Sequence, residues 1–156
     1  MSSSIRWGIL GPGSIANQFA KGLQATPAGQ LVAVGSRDQQ RADAFADQYD
    51  APNRHGSYES LVADPDIDAI YVATPHPFHK ENSILCLEAG KAVLCEKPFT
   101  VNATEAAQII TVARDRNIFL MEAMQQTECF ISSNSAVCAL RLRNREHVVA
   151  DLQWVR

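Results

Sequence analysis

An apolar run, Ile5-Arg6-Trp7-Gly8-Ile9-Leu10, ends in Gly11-Pro12-Gly13-Ser14-Ile15-Ala16 and passes directly into a segment of helical period. This junction constrains the fold more than any other feature of the chain. A strand leaving a sheet here must turn within three residues and begin a helix that packs back on it. Gly11 permits the turn, Gly13 leaves the backbone open to close approach by an anion, and the small side chain of Ala16 lets helix and strand touch. The exposed N–H groups and positive end of such a helix suit a phosphate, so the spacing predicts the first βαβ unit of a nucleotide-binding sheet, with Ser14 and Ile15 at the helix start.

The rest of the chain repeats the alternation. Strand-like runs are predicted at 5–10, 31–36, 69–73, 92–95 and 118–122, with a short weak one at Arg54-His55, and helix-period segments fill the gaps. This order predicts a Rossmann-type α/β fold, a doubly wound parallel sheet covered on both faces. Ile15, Phe19 and Leu23 form the buried stripe of the first helix, in which Gly22 costs about 1 kcal/mol relative to Ala. Asn102 is placed to cap a later helix, with Glu105 reaching back and Ala106, Ile109, Ile110 and Ala113 inward. Gly90 is placed to end the helix closing on Leu85 to Ala89.

The 156 residues are 46% hydrophobic and 20% charged with a net charge of −3, values of a globular chain with no basic surface for nucleic acid or anionic membrane. No run is apolar for long enough to span a bilayer, and the first residues lack a secretory pattern, so a cytoplasmic protein is expected. Cys86, Cys95, Cys129 and Cys138 lack metal-ligand spacing, which favours free thiols and no metal site.

The end of the second strand bears on the cofactor. A site for NAD places a carboxylate there to hold the adenosine ribose hydroxyls, whereas this chain has Ser36-Arg37, a hydroxyl and a guanidinium that fit a 2′-phosphate. Asp38 is better placed to cap the next helix. NADP is therefore expected over NAD.

Two segments, Ala73-Thr74-Pro75-His76-Pro77-Phe78-His79 and Cys95-Glu96-Lys97-Pro98, fall at predicted strand ends. With Lys91 to Leu94, Val101 to Ala103 and Phe119 to Met124, they resemble the Gfo/Idh/MocA family of oxidoreductases, over residues 5–124 and nearest its dimeric dihydrodiol dehydrogenase and NADP-dependent D-xylose dehydrogenase branch. The resemblance implies an NADP-dependent dehydrogenase of sugars or cyclic diols. Glu96-Lys97-Pro98 then matches the signature in which lysine lies beside nicotinamide and substrate hydroxyl, giving Lys97 the catalytic role and implying a cis peptide before Pro98. Thr74 and Pro75 match the segment flanking the cofactor, His76 stands where many relatives carry Asn, His79 matches the motif histidine, and Glu122 matches the glutamate of the last strand; the resemblance thus implies that Thr74, Pro75, His76, His79, Glu96 and Lys97 bind the cofactor.

After Met124 the pattern is lost: Gln125-Gln126-Thr127-Glu128 stands where relatives of this branch carry Trp-Thr-Arg-Phe. Residues 1–124 are thus expected to be the cofactor domain and 125–156 a divergent tail, a remnant of the usual C-terminal α/β substrate domain. On this reading the small-molecule substrate and a homodimer belong to that further domain. A non-catalytic NADP-binding partner module and an inactive truncated product are the competing expectations.

Overall fold

A computed structural model describes residues 4–123. Six strands form one parallel sheet: β1 (Ile5–Leu10), β2 (Gly29–Gly35), β3 (Asn53–His55), β4 (Ala69–Val72), β5 (Ala92–Glu96) and β6 (Leu120–Ala123). Between them run α1 (Ser14–Gln24), α2 (Gln39–Tyr49), α3 (Tyr58–Val62), α4 (His79–Glu88) and α5 (Ala103–Arg116), with a 3-10 turn over His76–Phe78. The strand order is β3-β2-β1-β4-β5-β6. The chain therefore winds outward from β1 in one direction and, after β3, crosses back to add β4 on the other side. Ligands of open α/β sheets bind at the carboxyl ends of the strands at such a reversal. The expected doubly wound sheet is observed.

Both sheet faces are apolar, and strand alternation divides the core in two. Trp7, Ile9, Val34 and Tyr71 pack with Phe19, Leu23, Phe45 and Tyr49 of α1 and α2 on one face. Leu10, Val32, Ile70, Val72 and Val93 pack with Leu61, Leu87 and Ile109 of α3, α4 and α5 on the other. Phe19 stacks on Tyr71, with centroids 4.0 Å apart, and meets Trp7 edge-on at 5.2 Å. On α5, Ile109 and Ala113 are buried, whereas Ala106 and Ile110 are half-buried at the margin of its inner face.

The local signals are used as expected at several junctions. Asp38 Oδ1 accepts the Gln40 N–H at 3.0 Å at the start of α2, and Asn102 Oδ1 accepts the Glu105 N–H at 2.9 Å at the start of α5. Gly90 follows α4 with φ of 80°. The last strand begins two residues later than predicted. Asn117 takes a left-handed conformation, and the Ile118 N–H still bonds the Ala113 carbonyl at 3.0 Å, so Ile118 closes the helix. Conversely, β2 begins two residues earlier, because Gly29 and Gln30 pair with Ile5 and Arg6.

Away from the carboxyl edge of β1 and β4, Asp64 joins β3 to the turn before β4. Its carboxylate accepts Asn53 Nδ2 at 2.8 Å, meets His55 Nε2 at 2.9 Å and accepts the Asp66 N–H at 2.8 Å. Burial pushes this carboxyl up, but the Asp66 amide, His55 and Asn53 together outweigh burial and hold it below its ordinary value. A group depressed in the folded state contributes stability that is present above its unfolded value, about 3.9, and is lost as pH falls further. Asp64→Asn is expected to cost about 1–3 kcal/mol near neutrality. The gap to the wild type should narrow below about pH 4. Thermal midpoints measured across pH would expose the opposite trend, a gap that widens with acid.

Candidate functional site

The carboxyl ends of β1, β2, β4 and β5 meet at the reversal in strand order. Gly11 leaves β1 with φ of 91°, its N–H bonded to the Gly35 carbonyl at 3.0 Å. A Cβ on Gly11 would lie 2.9 Å from Thr74 Cγ2 and 3.2 Å from the Thr74 nitrogen, so the turn lies against the end of β4. Gly13, the residue before α1, has extended backbone, and no side chain caps the helix. A Cβ on Gly13 would meet no atom within 4 Å. Ser14 is exposed, Ile15 is half-buried and Ala16 is fully buried against the sheet. An open space before an uncapped helix start is the arrangement that receives a pyrophosphate.

Beyond β2, Ser36 is buried; its N–H bonds the His55 carbonyl at 3.0 Å and its Oγ accepts the Asp38 N–H at 3.2 Å. Arg37 is exposed, with its guanidinium carbon 5.6 Å from the Phe78 ring centroid. A second cation stands nearby that the sequence did not single out: an Arg41 Nη donates to the Pro12 carbonyl at 3.0 Å, which places α2 against the glycine turn. The available signal was weak, an arginine in the first turn of a helix that follows a strand end.

The segments after β4 and β5 are bound together. The Thr74 hydroxyl accepts Asn82 Nδ2 at 3.0 Å. His79, only 1% exposed, places Nε2 at 2.8 Å from the Thr74 carbonyl and Nδ1 at 2.8 Å from the Pro98 carbonyl. Both ring nitrogens thus face backbone carbonyls. His79 therefore ties the segment after β4 to the turn after β5. Pro75 is exposed, and His76 is half-buried with an Nε2 that is buried and meets no hydrogen-bond partner among the described residues. An orphaned buried nitrogen is costly unless something satisfies it.

Glu96 is half-buried, with one carboxylate oxygen hydrogen-bonded by the Tyr71 hydroxyl and the other accepting the Lys97 N–H at 2.9 Å. Burial first, and then Glu96, push the Tyr71 phenol well above its ordinary value, so it remains a donor. The Lys97–Pro98 peptide is cis, as the resemblance implied. Glu122 of β6 accepts the Phe99 N–H at 2.8 Å. Glu96 to Phe99 is consequently fastened by Tyr71, His79 and Glu122, while the Lys97 side chain is exposed and its amine has no ion pair or hydrogen bond among the described residues. Beneath this turn, burial pushes the Cys95 thiol up to about 12 and the Cys86 thiol higher still, and both cysteines are free. Cys129, Cys138 and the predicted tail lie outside the described residues.

Topology, glycine turn and uncapped helix together define a dinucleotide-binding Rossmann domain. The profile of the oxidoreductase family with an NAD-binding Rossmann fold, Gfo/Idh/MocA, matches residues 5–124, and the chain belongs to that family. Among curated proteins it is 50% identical over 155 residues to trans-1,2-dihydrobenzene-1,2-diol dehydrogenase of Macaca fascicularis, covering 98% of this chain and 45% of that protein. It is 49% identical to the human enzyme of the same name, with the same coverage. The chain thus spans somewhat less than half the length of these relatives. A solved structure of KijD10, a 3-ketoreductase from Actinomadura kijaniata in complex with NADP and TDP-benzene, superposes with a TM-score of 0.76 at 32% identity, over 91% of this chain and 43% of that one. No helix among the described residues is long and apolar enough to cross a membrane.

Proposed function

We propose that this chain is the NADP-binding part of a dehydrogenase acting on a cyclic diol or a sugar. The observation that carries the cofactor reading is the end of β2, where Ser36 and Arg37 stand in place of a ribose-binding carboxylate and Arg41 approaches the glycine turn. A 2′-phosphate fits this set, since two guanidinium groups present paired N–H donors to phosphate oxygens. Gly11, Gly13, Ser14, Ile15 and Ala16 receive the pyrophosphate in this proposal, and Thr74, Pro75 and His76 border the nicotinamide side. Glu96, like His79, acts by holding its neighbours in place.

Bound NADP supplies or accepts the hydride. Lys97, on the turn beyond β5, holds the reacting hydroxyl and takes or returns its proton. The substrate class rests on the names of the relatives and on the resemblance described above, and domain boundaries at 1–124 and 125–156 are proposed on the same ground. Free buried thiols at Cys86 and Cys95 suit a reducing compartment, so cytoplasm is proposed as the location.

In a fluorescence titration NADPH is expected to bind more tightly than NADH by about tenfold or more, about 1.4 kcal/mol. Arg37→Ala should remove most of that difference. Equal affinities, or a preference for NADH, would overturn the cofactor reading. Reduction of NADP by D-xylose or a trans-dihydrodiol, assayed with the full protein, tests the substrate class.

A further inference from the structure

Arg37 and Phe78 reach each other across the site. Arg37 lies two residues beyond the end of β2, and Phe78 ends the 3-10 turn that follows β4; β1 and its glycine turn lie between these strands. The guanidinium carbon stands 5.6 Å from the Phe78 centroid, within the range of about 6 Å for a cation–π contact. Phe78 is 45% exposed, and among the described residues only Val101 is another large hydrophobic side chain so open to solvent. An exposed ring is common and needs no explanation alone, but among the described residues this ring is the one aromatic group over a cation, and that cation stands at the end of β2. Arg37 has no ion pair or hydrogen bond among the described residues, so its guanidinium lies over the Phe78 ring with its N–H donors free.

We propose that Phe78 is a positioning residue for NADP selectivity, holding the Arg37 guanidinium so that its edge meets the 2′-phosphate. This rests on the NADP reading given above. The separation decides between two ways in which the ring could act. A base inserted between ring and guanidinium needs two stacking contacts of about 3.5 Å each, about 7 Å in total, which exceeds the spacing present. At this spacing no base fits between them. Phe78 acts through Arg37. A guanidinium fixed in this way loses less side-chain freedom on binding phosphate than one that samples solvent, and the gain applies only to a cofactor carrying the 2′-phosphate.

Titrations of NADPH and NADH against the full chain test this with Phe78→Ala, Phe78→Leu, Arg37→Ala and the double variant. Both Phe78 variants should bind NADPH about two- to fivefold more weakly, the range of an exposed cation–π contact, with NADH affinity nearly unchanged. Phe78→Leu keeps the apolar bulk without the ring face, so a loss in both variants assigns the effect to the ring. Phe78→Trp should retain the preference. In the Arg37→Ala background, Phe78→Ala should have no further effect on NADPH. Wild-type NADPH affinity in Phe78→Ala, or an equal loss for both cofactors that persists without Arg37, would overturn the proposal while leaving the NADP reading intact. Wild-type protein without a preference for NADPH would overturn both. Thermal midpoints of the variants should match wild type, since so exposed a side chain contributes little to the core.

Discussion

If the proposed dehydrogenase function holds, Lys97→Ala is expected to lower turnover of NADP with a diol or sugar substrate, assayed with the full protein, by about 10²- to 10⁴-fold while changing NADPH affinity little, the range contributed by a positioned proton-transfer group. The expectation follows from how differently the turn treats its backbone and its side chain. Tyr71, His79 and Glu122 bond the Glu96 to Phe99 segment, and Glu96 itself accepts the Lys97 N–H. These bonds fix where the lysine leaves the chain. Its exposed amine is left unengaged among the described residues and is free to meet a reacting hydroxyl.

Lys97→Arg separates charge from proton transfer: arginine keeps the cation but cannot give up its proton near neutral pH. It should preserve KM better than kcat. A Lys97→Ala protein with turnover close to wild type would remove lysine from the chemistry, and a loss explained wholly by weaker cofactor binding would make it a binding residue instead.

The parts of this site that were legible in the sequence are those set by neighbours in the chain. The glycine turn follows its strand and precedes its helix directly, and the caps at Asp38 and Asn102 act over two and three residues. Their chemistry is complete within one short segment. Other features depend on contacts between segments far apart, which exist only once the strand order is set. His79 reaches Pro98 across 19 residues, Glu122 reaches Phe99 across 23, and Arg41 reaches Pro12 across 29. Motif matching placed His79 and Glu122 in the site without separating a side chain that touches a ligand from one that holds a loop. That distinction requires burial and bonding partners. Phe78 carried no signal at all, since only the folding of β2 and β4 on either side of β1 brings it to Arg37.

The two glycines of the turn should respond to alanine in opposite ways. Gly11→Ala places a side chain at φ of 91°, where its Cβ would come within 2.9 Å of Thr74 Cγ2 and within 3.3 Å of the Thr74 backbone. Left-handed backbone costs about 1–2 kcal/mol for an ordinary residue, and the Thr74 main chain, held by β4, has little room to yield. A total loss of about 2–4 kcal/mol is expected once local strain is added, visible as a lowered denaturation midpoint. Gly13 differs in both respects: its backbone is extended and a Cβ there meets nothing within 4 Å. Gly13→Ala should therefore leave stability within about 0.5 kcal/mol of wild type. Its methyl group would fill the space before α1 through which a pyrophosphate approaches, so NADPH affinity should fall by about tenfold or more. Normal NADPH binding by a stable Gly13→Ala protein would mean that the cofactor does not lie over this turn. A Gly11→Ala protein as stable as wild type would mean that the close approach of β1 to Thr74 relaxes without cost.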